Sequence, residues 1–327
     1  MGADSEELED ATSEVEWRKL TVSVAQHGER LDRALVEAAP EFSRSYLQQL
    51  IEAEQVTVNA QTARKASLKV KAGDTLVIEL RPTPQSQAFT PQAMPLDVVF
   101  EDEHILVINK PAGLVVHPAP GNWCGTLLNG LLAYDTGIAA VPRAGIVHRL
   151  DKDTSGLMVV ARSRAVMDIL VQRIAAREVS RQYLAVAHRS WTGPAHRTVD
   201  APIGRDPRNR LRMAVVDLES QSGKTAKTDV VLLDVSEGGC LVRCILHTGR
   251  THQIRVHMAS LGHSLVGDVV YGGSCVPHMQ RQALHAIRLA FAHPVSAQPL
   301  VFEAPLPQDF EALLAAWGLR YNAVRTG

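Results

Sequence analysis

Residues 145–162 read GIVHRLDKDTSGLMVVAR. Ile146 and Val147 are apolar, the following stretch to Ser155 is polar, and Leu157–Ala161 is an unbroken apolar run. The run predicts a buried strand. The polar stretch predicts a loop feeding that strand, with Gly156 supplying a positive φ at the loop exit. Asp151 stands in this loop between Arg149 and Lys152. An aspartate there is most often a turn residue. The other reading is a carboxylate held at a sheet edge for chemistry.

Further apolar runs predict strands at 97–100, 105–109, 183–187, 228–234 and 240–246, and helical spacing predicts helices at 126–134, 165–176 and 251–261. Glu237-Gly238-Gly239 is a tight connection between two of the strands. Irregular alternation with tight turns predicts an α+β domain with a mixed, largely antiparallel sheet, over residues 98–327. A smaller α+β module is expected over 17–81. Its helix stripes are Leu31, Ala34, Leu35 and Ala38, then Leu47, Leu50 and Ile51 after an N-cap at Ser43. QVTVNAQ (55–61) alternates like a strand, and KVKAGDTLVIEL (69–80) reads as strand, Gly-Asp turn, strand. Residues 82–97 are proline-rich and read as a linker. Residues 1–16 carry seven acids and no Lys or Arg, and read as a disordered acidic tail.

The chain has 327 residues and is 46% hydrophobic, enough for a sizeable core. No run approaches the roughly 20 apolar residues of a membrane span, and the N-terminus has no secretion-signal order, so a cytoplasmic location is expected. Four cysteines without a C-x-x-C pair predict reduced, structural thiols. The net charge of −1 hides an asymmetry: residues 162–212 hold eleven arginines, no lysine and four acids. Such a stretch suits a polyanion, or equally a solvated face with scattered ion pairs.

A second cluster, ILHTGRTHQIRVHMASLGHSLVGDVVYGG, spans 245–273. Its helical part puts His252, Arg255 and Ala259 on one face. A partly buried Arg255 needs an anion, and Asp151 is the candidate. His247, His252, His257 and His263 are spaced five, five and six apart, which is not a metal-ligand pattern, so no metal is expected. A third cluster, REVSRQYLAVAHRSW (177–191), places Tyr183 on a strand among Arg177, Arg181 and Arg189. Tyr183 fits either an ordinary core tyrosine or a base-stacking aromatic in a basic groove.

HRLDKDTSG (148–156), TGRTHQIRVH (248–257) and GDVVYGG (267–273) resemble the signature of RluA-family pseudouridine synthases. VVHPAPGNWCGTLLNGLL (115–132) and VPRAGIVHRLDKDTSGLMVVA (141–161) are most similar to D-type members. Residues 20–80 resemble the alpha-L RNA-binding module. The resemblance implies isomerisation of uridine to pseudouridine in large-subunit ribosomal RNA, without cofactor or metal. It implies Asp151 as the catalytic aspartate, acting on C1′ or on the C2′ proton, with Arg255 as its partner. It also implies that Tyr183 stacks on the uracil and helps remove the C5 proton, a role that needs its phenol pKa lowered.

Arg149 is carried over as the residue that fills the stack after the nucleotide flips out. The basic loop 204–215, with Arg205, Arg208, Arg210 and Arg212, resembles an RNA-gripping arm. Arg44, Arg64, Lys65, Lys69 and Lys71 of the small module would contact phosphates. The expected partner is RNA, with no membrane or DNA, and the chain is expected to be a monomer. Two alternatives stay open: a related synthase acting on other ribosomal sites or on transfer RNA, and a non-catalytic ribosome-assembly factor.

Overall fold

The computed structural model describes residues 16–40, 42–80, 86–209 and 212–322. The expected acidic tail up to residue 15, and Arg210, lie outside the described residues. The chain divides into two compact units, Met1–Gln87 and Ala88–Gly327.

The smaller unit contains β1 (Glu16–Thr21), α1 (Leu31–Ala38), α2 (Arg44–Glu52), β2 (Val56–Val58), β3 (Gln61–Thr62) and β4 (Thr75–Leu80). Its antiparallel sheet runs β1-β4-β2-β3. Both helices bury the expected stripes, Leu31, Ala34 and Leu35 on α1 and Leu47, Leu50 and Ile51 on α2. Ser43 caps α2 by accepting from the Tyr46 N–H.

Two features of this unit depart from the sequence reading. The strand expected before the Gly73-Asp74 turn shrinks to a single bridge between Lys69 and Arg30. There the Lys71 and Ala72 N–H groups donate to Asp74 Oδ2 and His27 Nδ1, so side chains take the place of a strand partner. Glu16, the last residue of the expected tail, already pairs with Leu80 in β1.

The larger unit adds β5 (Val98–Glu101), β6 (Ile105–Lys110), α3 (Leu127–Tyr134), β7 (Ser155–Ala161), α4 (Arg164–Ala176) and β8 (Ser180–His188). It continues with β9 (His196–Asp200), β10 (Ile203–Arg205), β11 (Met213–Val215), β12 (Gly223–Lys224), β13 (Lys227–Val235) and β14 (Gly239–Leu246). It ends with α5 (Gln253–Ser260), β15 (Leu284–Ala292), β16 (Pro299–Glu303) and α6 (Gln308–Trp317). The main sheet runs β5-β6-β7-β15-β8-β14-β13-β9, with β16 on β15, and its one parallel pairing is β7 with β15. The sheet is thus mixed and largely antiparallel, as its turns predicted.

Every residue of β7 is buried. Met158 and Val160 pack with Leu127 and Leu131 of α3 and Ile254 and Met258 of α5. Leu157 and Val159 pack with Val166 and Leu170 of α4. An unbroken apolar run is what a strand covered on both faces requires. Part of the expected linker belongs to this unit: the buried Asn129 amide donates to the carbonyls of Ala88 and Thr90, and the Gln92 N–H returns a bond to Asn129.

Buried imidazoles make this fold acid-sensitive. Burial, reinforced by Arg281, pushes His285 down to about 4. A depressed folded pKa contributes stability above the unfolded value near 6.5, and that stability is lost as pH falls toward 4. His285 is fully buried, so at pH 5 it alone withdraws about 2 kcal/mol. The melting temperature is expected to drop between pH 7.5 and 5, and His285→Asn to flatten that drop. Equal melting temperatures at both pH values would contradict the assignment.

Candidate active site

The loop that holds Asp151 is tied at three points. Lys110, fully buried at the end of β6, donates from Nζ to the carbonyls of Pro111, Leu114 and Lys152 at 2.7, 2.9 and 2.9 Å. Burial pushes Lys110 down to about 7 against the pull of Asp153. Three carbonyls need three N–H donors, which only the ammonium supplies. The Arg281 guanidinium donates to the Asp153 carbonyl at 3.0 Å. Gly156 adopts φ +115°, and a Cβ there would lie 2.3 Å from the Ala286 carbonyl oxygen on β15. The glycine is therefore required by close backbone approach as well as by its φ.

The facing wall is the start of α5. Buried Gln253 accepts from Thr248 Oγ1 and the Arg250 N–H, and donates to the Lys227 carbonyl and Thr228 Oγ1. That network sets the helix origin, so Arg255 points back at the loop. Its Nη1 lies 3.1 Å from Asp151 Oδ2. Its Nε and Nη2 make a bidentate pair with Asp268, at 2.7 and 2.8 Å, and the guanidinium carbon is 5.0 Å from the Tyr271 ring centre. Burial alone would lower the pKa of Arg255. The hydrogen bonds and charge of Asp268, and then of Asp151, outweigh burial and raise it. The guanidinium is a fixed cation clamped on one side, with Nη1 turned to Asp151.

Three sequence expectations change here. The principal anion for Arg255 is Asp268, with Asp151 second. His252 does not share the helix face of Arg255: it is the left-handed residue before the helix, at φ 56°. Its Nδ1 is 2.7 Å from the Tyr271 hydroxyl, and its Nε2 is 3.9 Å from Asp151. Burial lowers the His252 pKa, opposed by Asp151. Tyr183 is 5% exposed, and burial raises its pKa. That direction is opposite to the lowering that proton removal by this phenol needs. Asp268, Tyr271 and Lys110 were not singled out from sequence. GDVVYGG was in view, but Asp268 there passes for a turn residue.

Asp151, Tyr183 and Arg255 line one cleft of ≈ 920 Å³. Six arginines line it (143, 149, 177, 181, 250 and 255), against one carboxylate, Asp151. Such walls attract a polyanion and leave one acid to react with it. Arg149 lies exposed in this lining.

The other candidates are dispersed. Arg205 and Arg212 flank the β10–β11 hairpin, and Arg212 is engaged by Asp206 at 2.5 Å. Arg208 is exposed in the connecting turn. In the smaller unit Arg44 is bound, with Arg30 and Gln48, to the fully buried Asp32. Arg64 pairs with Glu54 at 3.1 Å, and Lys65, Lys69 and Lys71 are exposed. The four histidines do not converge: His247 binds Asp229, His257 binds Thr228 and the Ala201 carbonyl, and His263 stacks on Trp191. Among the described residues no group of three or more His, Cys, Asp or Glu is placed to hold a metal.

The family model described as RNA pseudouridylate synthase matches residues 104–260, which contain this whole clamp except Asp268 and Tyr271. A second model, the S4 domain, matches residues 29–76. The chain is 46% identical over 317 residues to "Ribosomal large subunit pseudouridine synthase D" of Neisseria meningitidis serogroup A, covering 93% of this chain and 83% of that protein. The chain belongs to the RNA pseudouridylate synthase family. The same name is carried by relatives in Xanthomonas campestris pv. campestris, 45% identical with 94% of each chain covered, and Escherichia coli K12, 46% identical with 90% of this chain and 92% of that protein covered. Among solved structures, human RNA Pseudouridylate Synthase Domain Containing 1 shares 26% identity and a TM-score of 0.52 over 68% of this chain and 95% of its own. The synthase is therefore an RNA-modifying enzyme with an S4 RNA-binding module, and no described helix is long and apolar enough to cross a membrane.

Proposed function

We propose that the chain isomerises specific uridines to pseudouridine in large-subunit ribosomal RNA, with Asp151 as the reacting group. The observation that carries this reading is the clamped Asp151–Arg255 pair in a cleft with six arginines and, among the described residues, no second carboxylate. The printed names of the relatives support the ribosomal target.

A uridine in a stem must leave the stack to reach Asp151, at a cost of a few kcal/mol. Arg149, planar and exposed in the cleft lining, fills the gap and bonds phosphate. Tyr183 stacks on the extruded uracil. Asp151 then adds to C1′ or takes a C2′ proton as the N1–C1′ bond breaks. The base turns, and C5 bonds to C1′ as the Asp151–C1′ bond breaks or as the C2′ proton returns from Asp151; the C5 proton departs and N1 gains one. Arg255, held by Asp268, orients the carboxylate throughout. Arg205, Arg208 and Arg212 grip the RNA beside the cleft, and Arg210, between them in sequence, belongs to the same set. Arg44, Arg64, Lys65 and Lys69 meet phosphates from the smaller unit. On this reading the enzyme acts as a monomer in the cytoplasm, with RNA as its partner in place of DNA or a membrane.

Mapping pseudouridines across total RNA from cells with and without the protein tests this. Loss of defined sites in large-subunit RNA is expected. Loss confined to transfer RNA would overturn the target, and loss nowhere would overturn the function.

A further inference from the structure

Arg181 differs from the other cleft arginines. It lies two residues before Tyr183 on β8 and lines the same cleft. It is only 6% exposed. Its Nε is buried with no hydrogen-bond partner, and no ion pair or hydrogen bond engages the guanidinium among the described residues. Gly249 makes room for it: a Cβ there would stand 2.9 Å from Nη1. A guanidinium cannot shed its charge, and a buried charge without a partner is unfavourable. Its retention beside the reacting groups points to an anion that arrives with the substrate.

Phosphates are the first anions to consider. They stay partly hydrated and suit Arg149 and Arg177, which are exposed. Arg181 lies deeper, with the tyrosine on which the base is proposed to stack. The charge that develops at that depth belongs to the uracil. As N1–C1′ breaks, the bonding pair stays with the base and spreads over N1, O2 and O4. The sugar is balanced by a new bond from Asp151 to C1′ or by loss of its C2′ proton to Asp151. When C5 bonds to C1′ the base gives the pair back, the Asp151–C1′ bond breaks or the C2′ proton returns from Asp151, and the C5 proton lost to water is matched by one gained at N1.

We propose that Arg181 donates hydrogen bonds to the carbonyl oxygens of the extruded uracil and neutralises the charge the base carries while detached. This rests on the pseudouridine synthase reading. A donor aimed at developing charge in a water-poor site acts mainly on rate, with little effect on ground-state binding.

Arg181→Gln and Arg181→Lys are tested on a target stem-loop under single-turnover conditions at saturating enzyme. Arg181→Gln is expected to slow the reaction by about 100-fold or more, with RNA affinity and its salt dependence unchanged. Its melting temperature is expected not to fall, since an unpaired buried charge has been removed. Replacing O2 or O4 of the target uracil with sulfur, a poorer acceptor, is expected to slow the wild type and to affect Arg181→Gln far less. Weakened binding with a salt slope shallower by about one and a normal saturating rate would assign Arg181 to a phosphate and overturn the proposal. An unchanged rate would overturn it as well. A wild-type protein inert on every RNA would instead sink the function itself, a distinguishable result. Should Arg181→Gln not fold, Arg181→Lys with the sulfur-substituted RNA gives the same decision.

Discussion

Asp151→Asn is expected to bind RNA with wild-type affinity and to make no detectable pseudouridine, a loss of at least about 10⁴-fold. The amide is isosteric but can neither add to C1′ nor take a proton from C2′. The fold is expected to tolerate the change, because Arg255 keeps both bonds to Asp268. RNA binding by filter retention, product by mass spectrometry and melting temperature separate these terms. Product from the pure variant would remove Asp151 from the chemistry, and loss of binding or of fold would show that the carboxylate has a structural duty.

Asp268→Ala is expected to be the most damaging change outside the reacting groups. Its carboxylate is 1% exposed and holds two of the Arg255 nitrogens. Without it a buried guanidinium retains one hydrogen-bonded ion pair, to Asp151 at 3.1 Å. Breaking a buried pair from one side costs about 3–5 kcal/mol. The freed cation then turns toward Asp151, converting an orienting contact into a tight ion pair that withholds the carboxylate from the sugar. A rate loss of about 100-fold or more is expected even at temperatures where the variant is folded. Asp268→Asn, which keeps the shape and one acceptor, is expected to recover much of the stability and less of the rate. A variant that melts early but turns over normally when folded would show that Asp268 serves stability alone.

The patterns that could be read in advance were local ones. Residues 157–161 announce a strand covered on both faces because unbroken apolarity has few other uses. Ser43 announces α2 because a helix start leaves N–H groups for a hydroxyl. β1, β9, β10, β11, β12, β15, β16 and α6 were not anticipated. Arg288 interrupts β15, and β16 is a run of three apolar residues between Pro299 and Glu303, so neither carries a clean period of two. β1 is largely charged and exposed; it is a strand because β4 offers it a free edge. Register and edge pairing are non-local, and no window of the sequence contains them.

The same division runs through the site. From the sequence alone came the reacting aspartate, its place in a glycine-closed loop before a buried strand, the arginine 104 residues later, and the family to which both belong. Only the tertiary structure decided that Arg255 is held first by Asp268, that burial raises the Tyr183 pKa, and that Arg181 lies buried in the cleft with no anion beside it among the described residues. The physical reason is dielectric. What a charged group does depends on the water it loses and the partners it meets, and both are settled when distant segments pack.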